Sequence, residues 1–120
     1  MRWRILGIAG LCGLAAAAHG GDGSQTGSAA IYSTRLEGRP TASGEPFRQS
    51  ELTAAHPSLP LGSLAQVTNL ATGQHTLVRI NDRGPFDGTH VVDLSRAAAV
   101  QIGMSGNETV RIDPIRGSLQ

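Results

Sequence analysis

The Leu64–Ile80 stretch constrains the fold most. Leu64 to Leu70 reads as one strand, Ala71-Thr72-Gly73-Gln74 as a hairpin turn, and His75 to Ile80 as the return strand. Within the return strand, Thr76-Leu77-Val78-Arg79-Ile80 alternates, so Val78 and Ile80 share one face. A period of two demands a sheet with one side in a core.

The rest of the chain adds short elements between turn residues. Ala29 to Tyr32 is a first strand. Glu37 to Phe47 is loop-like, punctuated by Gly38, Pro40, Ser43-Gly44 and Pro46. Ser50 to His56 is expected to hold a short helical turn, stopped by Pro57 and Pro60. Val91 to Leu94 is a strand. Ser95 caps a short helix from Arg96 to Ile102, and Gly103 ends it in the left-handed region. Glu108 to Ile112 is the last strand. Short strands, frequent turns and one small helix predict a mainly β fold, a small barrel rather than a βαβ sheet.

The 120 residues allow one small domain. Met1-Arg2-Trp3-Arg4 is basic, Ile5 to Ala18 is apolar and uncharged, and Ala16-Ala17-Ala18 is small. That is the layout of a secretory signal peptide over 1–18. The apolar run, at about 14 residues, is short of the roughly 20 that span a bilayer. Residues 19–28 read as a Gly/Ser-rich linker, 29–114 as the barrel and 115–120 as a tail. The expected location is periplasmic or secreted, with a lipid-anchored form through Cys12 as the alternative.

Cys12 is the only cysteine, so the mature domain folds without a disulfide or a thiolate metal site. His19, His56, His75 and His90 show no metal-ligand spacing, and no metal or cofactor is expected. Without Arg2 and Arg4, eight basic residues face nine acidic ones, a net charge of about −1. That lacks the basic excess a nucleic-acid partner needs.

Four residues carry candidate chemistry. If the return strand continues to Asp82, its carboxyl falls on the face of Val78 and Ile80. A carboxyl at the rim of an apolar core is desolvated, which favours the protonated form that a general acid needs. The competing reading is a turn-former that bonds the backbone of Arg83-Gly84-Pro85. His56 is a candidate partner, or simply a satisfied histidine. Glu45 is a second carboxyl or a solvated loop charge. Asp93, near the helix start, reads as structural.

Several segments then occur in one order. Gly38-Arg39-Pro40-Thr41-Ala42-Ser43-Gly44-Glu45 comes first, followed by Leu52-Thr53-Ala54-Ala55-His56-Pro57-Ser58-Leu59-Pro60-Leu61-Gly62-Ser63 and Val67-Thr68-Asn69-Leu70. Val78-Arg79-Ile80-Asn81-Asp82-Arg83-Gly84-Pro85-Phe86 and Val92-Asp93-Leu94-Ser95, with Ala97-Ala98-Ala99, complete the series. The series resembles the rare lipoprotein A (RlpA) family over roughly residues 29 to 114.

The resemblance implies a six-stranded double-psi β-barrel with one or two short helices. It implies a monomeric, cell-wall-directed protein working on peptidoglycan glycan strands, alone or with cell-division or wall-remodelling proteins. The implied activity is a lytic transglycosylase that prefers strands without stem peptides and leaves 1,6-anhydro ends. The alternative is an expansin-like module that binds peptidoglycan without cutting it. The family's Asn-Asp-Arg-Gly-Pro aspartate falls on Asp82 as catalytic acid, with Glu45 and His56 as its partners. Tyr32, Asn81 and Arg83 are expected to bind substrate. The family commonly opens its barrel with Ala-Ser-Trp/Tyr-Tyr-Gly; here Ala29-Ala30-Ile31-Tyr32-Ser33 lacks the first ring and the glycine.

Overall fold

The computed structural model describes residues 23–115. The signal peptide read at 1–18, Cys12, the first part of the Gly/Ser-rich segment and the tail beyond Ile115 lie outside the described residues. Six strands form: β1 (Gln25–Ile31), β2 (Thr53–Ala55), β3 (Leu64–Asn69), β4 (His75–Asp82), β5 (Val92–Leu94) and β6 (Glu108–Pro114). One α-helix, α1 (Arg96–Gln101), joins β5 to β6, and a 3-10 turn covers Thr34–Leu36. The strands close a barrel in the order β1-β5-β2-β4-β3-β6. β1 runs parallel to β5 and β2 parallel to β4; the other pairs are antiparallel. This is the expected double-psi barrel, and closure leaves no strand edge unpaired.

Alternation fills the interior. Ala65 and Val67 of β3, Val78 and Ile80 of β4, Val92 and Leu94 of β5, and Val110 and Ile112 of β6 are all buried. Ala29 and Ala54 take positions where a narrow barrel has little room. Ala98, Ala99 and Ile102 of the helix region plug one side of this core. Ser95 caps α1 as read from the sequence, its Oγ accepting from the Ala98 N–H at 3.2 Å. Gly103 follows with φ +75°, where a side chain would be strained.

Three expectations change. The segment read as a helical turn contains β2 instead. Thr53–Ala55 lies between β4 and β5, and pairing on both sides overrides its weak local preference. β1 starts at Gln25, four residues before Ala29, because Gln25 to Ala29 pair with β6 from Ile112 to Glu108. Gly27 is therefore a strand residue, and a Cβ there would sit 2.5 Å from Cγ1 of Val91. Lastly, Asp82 does not share the face of Val78 and Ile80. The register between β2 and β4 slips, so Ala54 faces Ile80 and Ala55 faces Asp82. Asn81 is the extra residue, and Asp82 emerges on the outer side with Ala55. There Tyr32, Phe47 and Ala55 form a second buried cluster, separate from the barrel core.

Candidate active site

Tyr32 leaves the end of β1 and is held by its N–H on the Leu94 carbonyl at 2.9 Å. Its ring stacks on Phe47, with centroids 4.1 Å apart and planes 14° from parallel. That stack roofs Ala55 and aims the phenol at β4. The Tyr32 hydroxyl donates to Oδ2 of Asp82 at 2.6 Å.

A tight loop supplies the next contact. Pro40 bridges Pro46, the Thr41 N–H donates to the Glu45 carbonyl at 2.9 Å, and Gly44 takes φ +95° to turn the chain. The Ser43 N–H bonds the Asn81 carbonyl at 3.1 Å, which docks the loop on β4. Docked so, the Ala42 N–H donates to Oδ1 of Asp82 at 2.8 Å. The Arg83 N–H reaches the same oxygen at 2.9 Å. Asp82 is thus a turn-former toward Arg83 and also the meeting point of groups 40 and 50 residues away. Each of its oxygens faces a donor.

The same arrangement acts on Tyr32. Burial pushes its phenol far above the usual range, and the hydrogen bond and charge of Asp82, with the charge of Asp93, push in the same direction. The hydroxyl stays protonated and stays a donor.

Glu45 sits at the other end of the loop and pairs with Arg79, whose second nitrogen lies 3.6 Å from Glu51. The Arg79 hydrogen bond holds the Glu45 carboxyl below its ordinary range. Glu45 is an ionised, charge-paired group rather than a proton donor. Asn81 is buried, and among the described residues neither polar atom of its carboxamide has a hydrogen bond of ordinary geometry, although the group lies near enough to Glu45 to help lower it.

His56 is turned away from the carboxylate. Its Nδ1 accepts from the N–H groups of Ser58 and Leu59, each at 3.1 Å. The proton is therefore on Nε2, which donates to Oε1 of Gln25 at 2.8 Å. Burial, then the Arg83 charge, push its pKa down, so the ring is neutral. What His56 gives Asp82 is main chain: its N–H donates to the Asp82 carbonyl at 3.1 Å. Arg83 also faces inward, its Nη1 donating to the carbonyls of His56 at 3.0 Å and Leu59 at 2.7 Å. Among the expected residues, Tyr32 and Asp82 meet directly, Glu45 and Asn81 adjoin them, and the side chains of His56 and Arg83 lock the loop behind.

Two residues were not expected here. Phe86 exposes 76% of its surface, the most of any large apolar side chain among the described residues, four residues beyond Asp82. Asp93, read as structural, projects from β5 with no hydrogen-bond partner for its carboxyl among the described residues, although it is half-buried. An acid between the core residues Val92 and Leu94 was the available signal: alternation puts it on the outer face.

A family model described as lytic transglycolase matches residues 24–113. The chain belongs to this lytic transglycolase family. The endolytic peptidoglycan transglycosylase RlpA of Escherichia coli (strain K12) is 55% identical over 92 residues, which are 77% of this chain and 25% of that protein. The chain thus spans about a quarter of the length of the curated relatives it first matches. Among solved structures, an expansin from Clavibacter michiganensis has the same fold, with TM-score 0.62 and 18% identity over 81% of this chain and 52% of that one. A Streptomyces papain inhibitor does too, with TM-score 0.60 and 22% identity over 78% of this chain and 94% of that one. The family's barrel is therefore shared by proteins with unlike names, and the functional reading has to come from the site.

Proposed function

We propose that this barrel is the catalytic module of a peptidoglycan lytic transglycosylase, cutting between N-acetylmuramic acid and N-acetylglucosamine and closing a 1,6-anhydro ring. The observation that carries the reading is the Asp82 carboxylate, fixed at the outer face by the Tyr32 hydroxyl and the Ala42 and Arg83 N–H groups. A carboxylate so held is a preorganised acceptor. As the C1–O4 bond breaks, it stabilises the positive charge growing at C1. It then takes the proton from the muramoyl C6 hydroxyl as that oxygen bonds to C1. The nucleophile belongs to the substrate, so no carboxylate is needed to activate water.

The name carried by relatives at 55% identity supports the same substrate class. Strands stripped of stem peptides are the proposed substrate, as the family resemblance implies. The basic, apolar and small-residue segments that begin the chain support export to the periplasm.

The test is digestion of intact and denuded sacculi, followed by mass spectrometry for 1,6-anhydro ends. Wild type should release them, and Asp82→Asn should lower the rate by about 100-fold or more. Binding to sacculi without any 1,6-anhydro product would replace this reading with that of a non-cutting module.

A further inference from the structure

We infer that Asp93 is the proton donor of this site, so that the reaction is divided between two carboxyl groups. The inference rests on the transglycosylase reading and supplies the half of the reaction for which Asp82 is poorly built.

Ala55 pairs with Asp82 of β4 on one side and with Asp93 of β5 on the other. Residues directly opposite in neighbouring strands point to the same face, so both carboxyls lie on the outer face, flanking the Tyr32–Phe47 stack. Two strand spacings separate their Cα atoms by about 10 Å. A Cα separation of that size is compatible with the roughly 5–9.5 Å between carboxyls over which paired acids bracket one glycosidic linkage.

The two acids are provided for differently. Oδ1 of Asp82 faces two main-chain N–H groups, which cannot accept, and Oδ2 faces the Tyr32 hydroxyl. All three neighbours are donors, so Asp82 is arranged as an acceptor, and Oδ2 keeps a lone pair that can take a proton from a ligand. Asp93 accepts no hydrogen bond from the described residues, and neither of its oxygens is sealed from solvent. It is free to hold a proton and to hand it to a ligand. The charged groups around it are Asp82 on β4 and Asp87 and His90 on the β4–β5 loop, with the Tyr32 phenol at the end of β1. Burial raises the Asp93 pKa; Asp87 and Asp82 add to this, and His90, when charged, opposes it.

The step balances. Protonated Asp93 gives its proton to O4 of N-acetylglucosamine, and the C1–O4 electron pair leaves with that oxygen. The muramoyl O6 then bonds to C1 and its proton passes to Asp82. Solvent returns a proton to Asp93 and removes one from Asp82.

The test compares wild type, Asp93→Asn and Asp82→Asn on denuded sacculi and on a muramoyl glycoside with a nitrophenol leaving group, which departs without protonation. Asp93→Asn should melt at or above the wild-type temperature, because a neutral amide replaces an unpaired, half-buried acid. It should lose about 100-fold or more on sacculi and keep most of its rate on the nitrophenyl glycoside, while Asp82→Asn loses both. Its remaining sacculus activity should no longer fall on the alkaline side of the wild-type profile. If Asp93→Asn fails to fold, Asp93→Ser carries the same comparison. Asp93→Asn with wild-type activity on sacculi, or with equal loss on both substrates, overturns the inference and leaves the transglycosylase reading standing. Absence of 1,6-anhydro product from wild type overturns that reading instead.

Discussion

Replacing Tyr32 by Phe removes one oxygen and leaves the ring stack on Phe47 in place. The lost bond is a 2.6 Å hydrogen bond to a carboxylate, made by a residue that exposes only 8% of its surface. Hydrogen bonds to charged groups are worth about 1.5–3 kcal/mol. Asp82 is not fully enclosed, so water recovers part of that and about 1–2 kcal/mol remains. For a domain of this size each 1 kcal/mol moves the melting temperature by roughly 4–8 °C. Tyr32→Phe should therefore melt about 5–15 °C lower than wild type near neutral pH.

The alkaline limb gives a second, sharper reading. Tyr32 is the chain's only tyrosine, and there is no lysine. Its folded pKa lies above the ordinary value of 10.0, so its contribution is fully present below that pH. Above it, the unfolded chain loses a proton that the native chain keeps, and stability falls by about 1.4 kcal/mol per pH unit. In wild type the tyrosinate absorbance should rise only as the protein unfolds. In Tyr32→Phe that stretch of the stability curve should flatten. Urea melts at stepped pH, followed by circular dichroism, measure both effects. Equal melting temperatures at pH 7, or a native phenol that titrates normally before unfolding, would refute the Tyr32–Asp82 bond as drawn.

Other outcomes follow from the same contacts. Gly27→Ala places a Cβ 2.5 Å from Cγ1 of Val91 and should cost about 1–3 kcal/mol in a urea melt; adding Val91→Ala should recover most of it. The His56 pKa is lowered in the folded state, so its contribution is present above about pH 6.5 and is lost as pH falls from there toward the folded value. His56→Gln should be less stable at pH 7 and should show a shallower decline between about pH 6.5 and 5, with the Asp82 site still formed.

What was legible in the sequence was what is local. The Leu64–Ile80 hairpin, the Ser95 cap and the Gly103 stop each depend on neighbours a few residues away, and each formed as read. β2 was not legible because Thr53–Ala55 is wholly buried and shows no alternation, and its partners lie on β4 and β5. The same holds for the start of β1, whose Gly and Ser residues look like linker until β6 is laid beside them. At the site, alternation puts Asp82 on the face of Val78 and Ile80, whereas the structure turns it outward, because a register slip leaves no local mark. The His56 ring bonds Gln25 and its own turn rather than the Asp82 carboxyl. The His-Pro-Ser-Leu order, in which a ring nitrogen can cap its own turn, was the overlooked signal.

That register slip also bears on the chemistry. Were β4 to continue in step, Asp82 would point into the barrel among Val78, Ile80 and Leu94, where an ionised carboxylate has no compensation. The extra residue brings it out opposite Ala55, in the same row as Asp93. Two aspartates then occupy equivalent places on either side of one alanine, alike in chemistry and unlike in surroundings. One faces a phenol and two main-chain N–H groups; the other has no hydrogen-bond partner among the described residues and keeps solvent contact. Acid and base roles follow from such differences in environment rather than from residue type. On this barrel they trace to where the Thr41–Glu45 loop docks, since its Ala42 N–H reaches only one of the pair.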